Sequence, residues 1–284
     1  MWRVDPPNYS ASFSFRTCIG KIRDPDLKKR LQEAEAEVVA AAESYAAAAE
    51  LVTLHALVRK DFLLGEVTKA EMTAVYKNSM AKKLAPGRFI YDSIKLAAKG
   101  GRCPLCGQRT VTTLDHHLPK ALYPALSVDP LNLVPACADC NKLKLDKAPG
   151  SSGEETLHPY FDNVEDSPWL RAEVVEVSPA AFKFYVDPPG DWSQTLIDRV
   201  RLHFKTFGLG ELYVSQAADE LLNIRYGLNQ LFNANPSEGS QNVRLHLMEQ
   251  AESRRQARIN SWQTATYAAM AESAWFCAGG FAEE

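Results

Sequence analysis

Two cysteine pairs, Cys103-Pro104-Leu105-Cys106 and Cys137-Ala138-Asp139-Cys140, bracket the stretch Thr113-Leu114-Asp115-His116-His117-Leu118-Pro119-Lys120. The second pair runs on into Asn141-Lys142-Leu143-Lys144. Two residues between cysteines let both sulfurs reach one ion at about 2.3 Å, and four thiolates complete a tetrahedral zinc site. Gly107 suits the tight turn after the first pair. The gap between the pairs exceeds the about 15–20 residues of a common zinc ribbon, so something is inserted between the knuckles. A four-thiolate site keeps no open coordination position. The expected zinc therefore holds a loop, and the chemistry is expected in what it holds. A dithiol switch, the alternative, has no need of two such pairs.

Within the insert, residues 111–114 are rich in strand formers, which sets Asp115 and His116 at a strand end with Pro119 turning the chain. Asn132 stands in Pro130-Leu131-Asn132-Leu133-Val134-Pro135-Ala136, just before the second knuckle. Asp139 is expected to cap a short helix carrying Asn141 in its first turn. Strand, loop, strand and helix, with Asp-His at one end and Asn on the helix, make a ββα arrangement.

Asp-His-x-x-Pro, a middle Asn, then Cys-x-x-Cys-Asn-x-x-Lys resembles the HNH endonucleases, the ββα-metal nucleases, over about residues 100–148. The resemblance implies His116 as general base and Asp115 as ligand of a catalytic Mg²⁺-like or Mn²⁺ ion. It also implies Asn132 as a brace of the loop and Asn141 as a second metal ligand. The chemistry agrees. Phosphodiester hydrolysis needs a base near neutral pH and a hard cation to stabilise charge on the phosphate. Lys120 and Lys144 are candidates to hold the scissile phosphate, each weighed against an ordinary solvated lysine. His117 is the second candidate base, since a His-His pair divides the roles in some relatives; strand alternation allows only one to face the water. His158 and Asp162 of His158-Pro159-Tyr160-Phe161-Asp162 are within reach of such a site, but packing of Tyr160 and Phe161 is the plainer expectation. The wider pattern looks similar to HNH subunits of bacterial anti-phage systems such as Septu. That implies a DNA-cutting effector controlled by a partner ATPase. A non-catalytic zinc-knuckle module and a mobile-element or restriction-type nuclease are the competing readings.

Outward from this core, the expectation is an α+β, mostly helical chain: a helical region over 1–99, the nuclease core over 100–150, and a β-hairpin plus helices over 151–284. Residues 1–23 read as an irregular arm. Asp24-Pro25 reads as a cap followed by Pro at the first helical position, opening one long helix to about residue 59. Leu27, Leu31, Ala34, Val38, Ala41, Tyr45, Ala48 and Val52 step at heptad spacing. That stripe is either core of its own domain or a surface for a homodimer or partner. Further helices are expected over 69–84 and 89–99, strands over 171–177 and 182–187, and helices over 193–207, 213–232 and 241–274. Arg254, Arg255 and Arg258 are candidates for DNA-backbone contact or a solvated face.

The 284 residues are 46% hydrophobic and 24% charged, with net charge −3. Those values exclude collagen-like, disulfide-dense and wholly disordered classes. The start lacks the apolar run of a signal peptide, and no apolar stretch is long enough to cross a bilayer, so a cytoplasmic location and no membrane partner are expected. The acidic balance argues at first against nucleic acid. Yet residues 99–147 hold seven Lys or Arg, four Asp and no Glu, a local +3 against −6 elsewhere. Four thiolates on Zn²⁺ carry a formal −2, and a second divalent ion restores the +3. A short, metal-assisted contact with phosphate fits such a patch.

Overall fold

The computed structural model describes residues 1–235 and 237–282. It is mixed α+β and mostly helical, with two small antiparallel sheets. The chain divides into two compact units, Met1–Asn163 and Val164–Glu284, the last two positions lying outside the described residues. The helical N-terminal region and the knuckle segment thus share one unit, with a hydrophobic core common to both.

In the first unit, the segment read as an irregular arm carries a helix, α1 (Ala11–Ile19), capped by the Ser10 hydroxyl accepting from Phe13 N. Asp24 caps α2 (Pro25–Glu33) as expected. The expected single helix to about residue 59 is not continuous: a kink at Ala34 separates α2 from α3 (Glu35–Glu50). α3 then stops at a left-handed residue, Val52 (φ 56°). Val52 N donates to Ala49 O and Thr53 N to Ala48 O, the paired bonds of a Schellman motif. Nothing in the heptad pattern signals that stop, because the motif ordinarily ends on Gly. Leu31, Val38, Ala41, Tyr45 and Ala48 of the stripe are buried, and those residues are thus core of their own unit.

Thr68 and Glu71 form a reciprocal capping box at the start of α4 (Lys69–Val75). The expected continuation to residue 84 is instead a π-helical turn, Tyr76–Ala81, and α5 (Arg88–Leu96) follows. Strands β1 (Thr113–His116) and β2 (Leu133–Ala136) pair antiparallel, with Asp115 opposite Val134 and His116 opposite Leu133. α6 (Ala138–Lys144) packs against β1. Asp139 does not cap it; the cap is Cys137, whose Sγ accepts from Cys140 N, while Asp139 pairs with Arg109 at 2.9 Å.

The second unit opens on a hairpin of β3 (Leu170–Val175) and β4 (Ala181–Val186), within two residues of the expected strands. Asn260 anchors its entry: Oδ1 accepts from Trp169 N and Leu170 N, and Nδ2 donates to Val164 O and Ser167 O. α7 (Gln194–Thr206) and α8 (Leu209–Ala234) come next. The expected helix over 241–274 is two helices, α9 (Gly239–Ala257) and α10 (Trp262–Glu272), parted by residues 258–261 and restarted by the Ser261 cap. The arginines considered for DNA contact are engaged within the unit. Arg254 lies 3.7 Å from the Tyr267 ring centre and 3.5 Å from Glu220, Arg255 pairs with Glu252, and Arg258 pairs with Glu165. Among the described residues, no helix is long and apolar enough to cross a membrane.

Candidate metal centres and active site

The four knuckle cysteines are buried and converge, with all Sγ atoms within 4.8 Å of one another and none in a disulfide. Zn–S bonds of 2.3 Å in a tetrahedron place sulfurs about 3.8 Å apart, so the cluster has the dimensions of a four-thiolate metal site. The surroundings suit the anionic form. Arg109 N donates to Cys106 Sγ and Cys140 N to Cys137 Sγ, each at 3.4 Å. Gly107 takes φ +67°, and a Cβ there would meet the Trp2 indole at 3.0 Å. The turn therefore needs glycine twice over, for its conformation and for the N-terminal arm laid across it. Trp2 N donates to Pro104 O, which fixes that arm on the knuckle.

A cleft of about 380 Å³ is lined among others by Tyr76, Asp115, His116, Lys120, Asn141 and Lys142. It brings together the expected base, both expected catalytic-metal ligands and one expected phosphate holder. The β1 register sets Asp115 and His116 at the strand end, and α6 presents Asn141 from its first turn.

His116 Nε2 lies 2.9 Å from Ser127 O. A carbonyl only accepts, so Nε2 carries the proton and Nδ1 is the basic nitrogen. Burial pushes the imidazole down to about 3, aided by the Lys120 and Lys144 cations and opposed by the Ser127 bond. The ring is thereby held neutral, and an imidazole held so low is a weak proton acceptor until an anionic phosphate beside it raises it.

Asp115 is 7% exposed. Burial raises its carboxyl against the pull of Lys144, whose Nζ sits 2.9 Å from Asp115 Oδ2 and donates to His116 O at 2.7 Å. Lys144 is thus neither a solvated surface lysine nor a free phosphate holder; it is an internal counter-ion that ties α6 to the end of β1. Lys120 remains available: it lines the cleft half-buried, its ammonium pulled down by burial and by Lys77 and Lys144.

Asn132 stands behind the cleft, fully buried. Its Oδ1 accepts from Leu118 N at 2.7 Å, and Nδ2 donates to Leu118 O at 3.0 Å and Leu126 O at 3.3 Å. These bonds close the 117–131 loop, so Asn132 braces the site rather than entering it.

His117 turns away from the cleft. Its ring lies 4.1 Å from that of His158, centre to centre. His158 Nε2 is 2.9 Å from Tyr45 Oη, and Tyr160 N donates to His158 Nδ1. The structure thus separates His117 and His158 from the cleft and joins them in a buried aromatic layer with Tyr160 and Phe161. Asp162 Oδ2 accepts from His158 N. Tyr76, Lys142 and the Ser127 carbonyl were missed by the sequence reading. Tyr76 sits among Met72, Val75 and Met80 and carries only the signal of a core residue, and a carbonyl carries no residue-type signal at all.

The chain is 34% identical over 181 residues to protein ea31 of Escherichia phage lambda, a match covering 60% of this chain. The chain spans 58% of the length of that relative. No protein-family model matches the chain, and no solved structure matches it significantly.

Proposed function

We propose that this protein is a metal-dependent endonuclease of the HNH type that hydrolyses phosphodiester bonds of DNA, with zinc in the four-cysteine site as a structural element. The observation that carries the reading is the convergence of His116, Asp115, Asn141 and Lys120 on one cleft, with the His116 tautomer set so that Nδ1 is basic. A zinc-knuckle module that only binds has no need of a neutral, oriented imidazole beside a carboxylate.

In this reading Asp115 and Asn141 hold a hard divalent ion, Mg²⁺ or Mn²⁺; their oxygen donors suit it, and such ions keep waters beside one or two protein ligands. Once bound, that ion supplies charge stabilisation at the phosphate and the leaving oxygen. His116 Nδ1 takes the proton of the attacking water, and the Ser127 carbonyl stabilises the imidazolium so formed through Nε2–H. Lys144 holds the Asp115 carboxylate and the His116 main chain in register. Lys120 donates to a non-bridging phosphate oxygen. Asn132 keeps the loop closed behind them.

An effector role in anti-phage defence beside an ATPase rests on the resemblance of the stretches 114–124, 132–137 and 158–162, and it extends the proposal to a partner-controlled enzyme. Incubation of the protein with supercoiled plasmid and Mg²⁺ or Mn²⁺ tests the core of the reading. Nicked or linear product that vanishes with EDTA supports it, and intact plasmid at every metal and salt condition counts against it.

A further inference from the structure

The π-helical turn that interrupts the α4 register begins at Tyr76, and such insertions are frequent at functional sites. The Tyr76 ring, 8% exposed, meets the His116 imidazole edge to face, with centres 4.5 Å apart and planes at 72°. Lys120 Nζ lies over the same ring, 5.5 Å from its centre. Among the described residues the Tyr76 hydroxyl makes no hydrogen bond, so what it offers is the ring. A ring of this kind attracts a cation at its face and orients a neighbouring aromatic group through its quadrupole.

We propose that Tyr76 is a positioning residue of the cleft, its ring fixing the His116 imidazole and the Lys120 ammonium relative to each other. This rests on the nuclease reading and adds a residue that neither the motif nor its spacing contains. The ring supplies what the motif lacks. Among the described residues, His116 is held at one nitrogen only, and half-buried Lys120 has no ion pair. Misplacement of a reacting group by about 1 Å costs on the order of 10²-fold in rate. An aliphatic side chain of similar bulk fills the same space without holding the cation.

The test compares Tyr76→Phe, Tyr76→Leu, Lys120→Gln and the Tyr76→Leu/Lys120→Gln double variant with the wild type. Plasmid cleavage is measured at saturating Mg²⁺, with zinc content as a control. The ¹⁵N resonances of labelled histidine give a second readout, the His116 signal being assigned by its loss in His116→Asn. Tyr76→Phe is expected within about two-fold of wild type. Tyr76→Leu should lose about ten-fold or more in kcat with zinc retained and the His116 signal displaced. The double variant should fall less than the product of the single losses, because both act through one contact. Wild-type kcat and KM in Tyr76→Leu, an unmoved His116 signal, or equal losses in Tyr76→Phe and Tyr76→Leu would each overturn the assignment. An inactive wild type sinks the nuclease reading by itself, and the His116 signal in Tyr76→Leu then still decides whether the ring holds the imidazole.

Discussion

Replacing Asn132 removes the brace of the 117–131 loop. Asn132→Ala leaves two buried main-chain groups without a partner, Leu118 N–H and Leu118 C=O, and takes one of two donors from Leu126 C=O, which still accepts from Asp129 N. Each buried group left unpaired costs about 1–3 kcal/mol. The space vacated by the amide is polar and admits a water, which offsets part of the loss. A net destabilisation of about 3 kcal/mol follows. Asn132→Asp is more informative. Its carboxylate still accepts from Leu118 N, but it turns an acceptor towards two carbonyls. Burial and those carbonyls raise the Asp pKa in the folded state, so the folded protein binds the proton more tightly than the unfolded chain. The stability of Asn132→Asp therefore falls as pH rises from about 4, where the unfolded Asp ionises. Hydrogen exchange read by mass spectrometry over peptides spanning 113–132 reports on this loop without interference from the second unit. Both variants should lose protection at Leu118, the Asp variant more at pH 7 than at pH 5. Full protection in Asn132→Ala, or a loss below about 1 kcal/mol, would refute the bracing role.

Three further outcomes are expected. The purified protein should contain one zinc per chain by elemental analysis, and Cys140→Ser should lose it together with exchange protection around residues 103–110; a metal-free wild type with normal protection would contradict the structural site. Val52, a β-branched residue in the left-handed region, is strained by about 1–2 kcal/mol, part of which Gly gives back as chain entropy. Val52→Gly should therefore raise the melting point of the first unit by about 2–4 °C, and a lower melting point would show that the motif is not strained. Asp129 is fully buried, its Oδ2 has no partner among the described residues, and burial lifts its carboxyl to about 7. The native state then holds this proton more tightly than the unfolded chain. The wild type should lose stability as pH rises from about 4 through about 7, and Asp129→Asn should flatten that slope in pH-dependent urea unfolding.

The residues legible in the sequence are those whose placement is written in local spacing. The two Cys-x-x-Cys pairs, Asp115-His116 at a strand end, Asn132 before the second knuckle and Asn141 after it all lie within one short supersecondary unit. Chain geometry there leaves few alternatives. The choice between His116 and His117 needed the third dimension: strand alternation says that only one faces the cleft, and the Ser127 carbonyl and the His158 ring show which. Lys144 was misread because a sequence gives a lysine's charge but not the buried carboxylate within its reach. Tyr76 was invisible because its neighbours across the cleft, His116 and Lys120, are distant in sequence and the π-turn that begins at Tyr76 has no sequence signal. The helix breaks at Ala34 and Val52 escaped for a related reason. The heptad pattern runs through both, and tertiary packing of a long helix around a small core overrides propensity. The expected core over 100–150 misses Tyr45, His158 and Tyr160, which pack behind the cleft from either side of that range.

The central claim is that His116, and not its neighbour, activates water in the cleft. Single-turnover plasmid cleavage with Mg²⁺ by the wild type, His116→Ala and His117→Ala tests it most directly. The predicted result is EDTA-sensitive cleavage by the wild type and a fall of about 10²–10⁴-fold in His116→Ala. His117→Ala, folded and zinc-loaded, should keep a rate within about ten-fold of wild type, because His117 lies in the buried layer with His158. Cleavage at the wild-type rate by His116→Ala, or its loss in His117→Ala alone, would contradict the account.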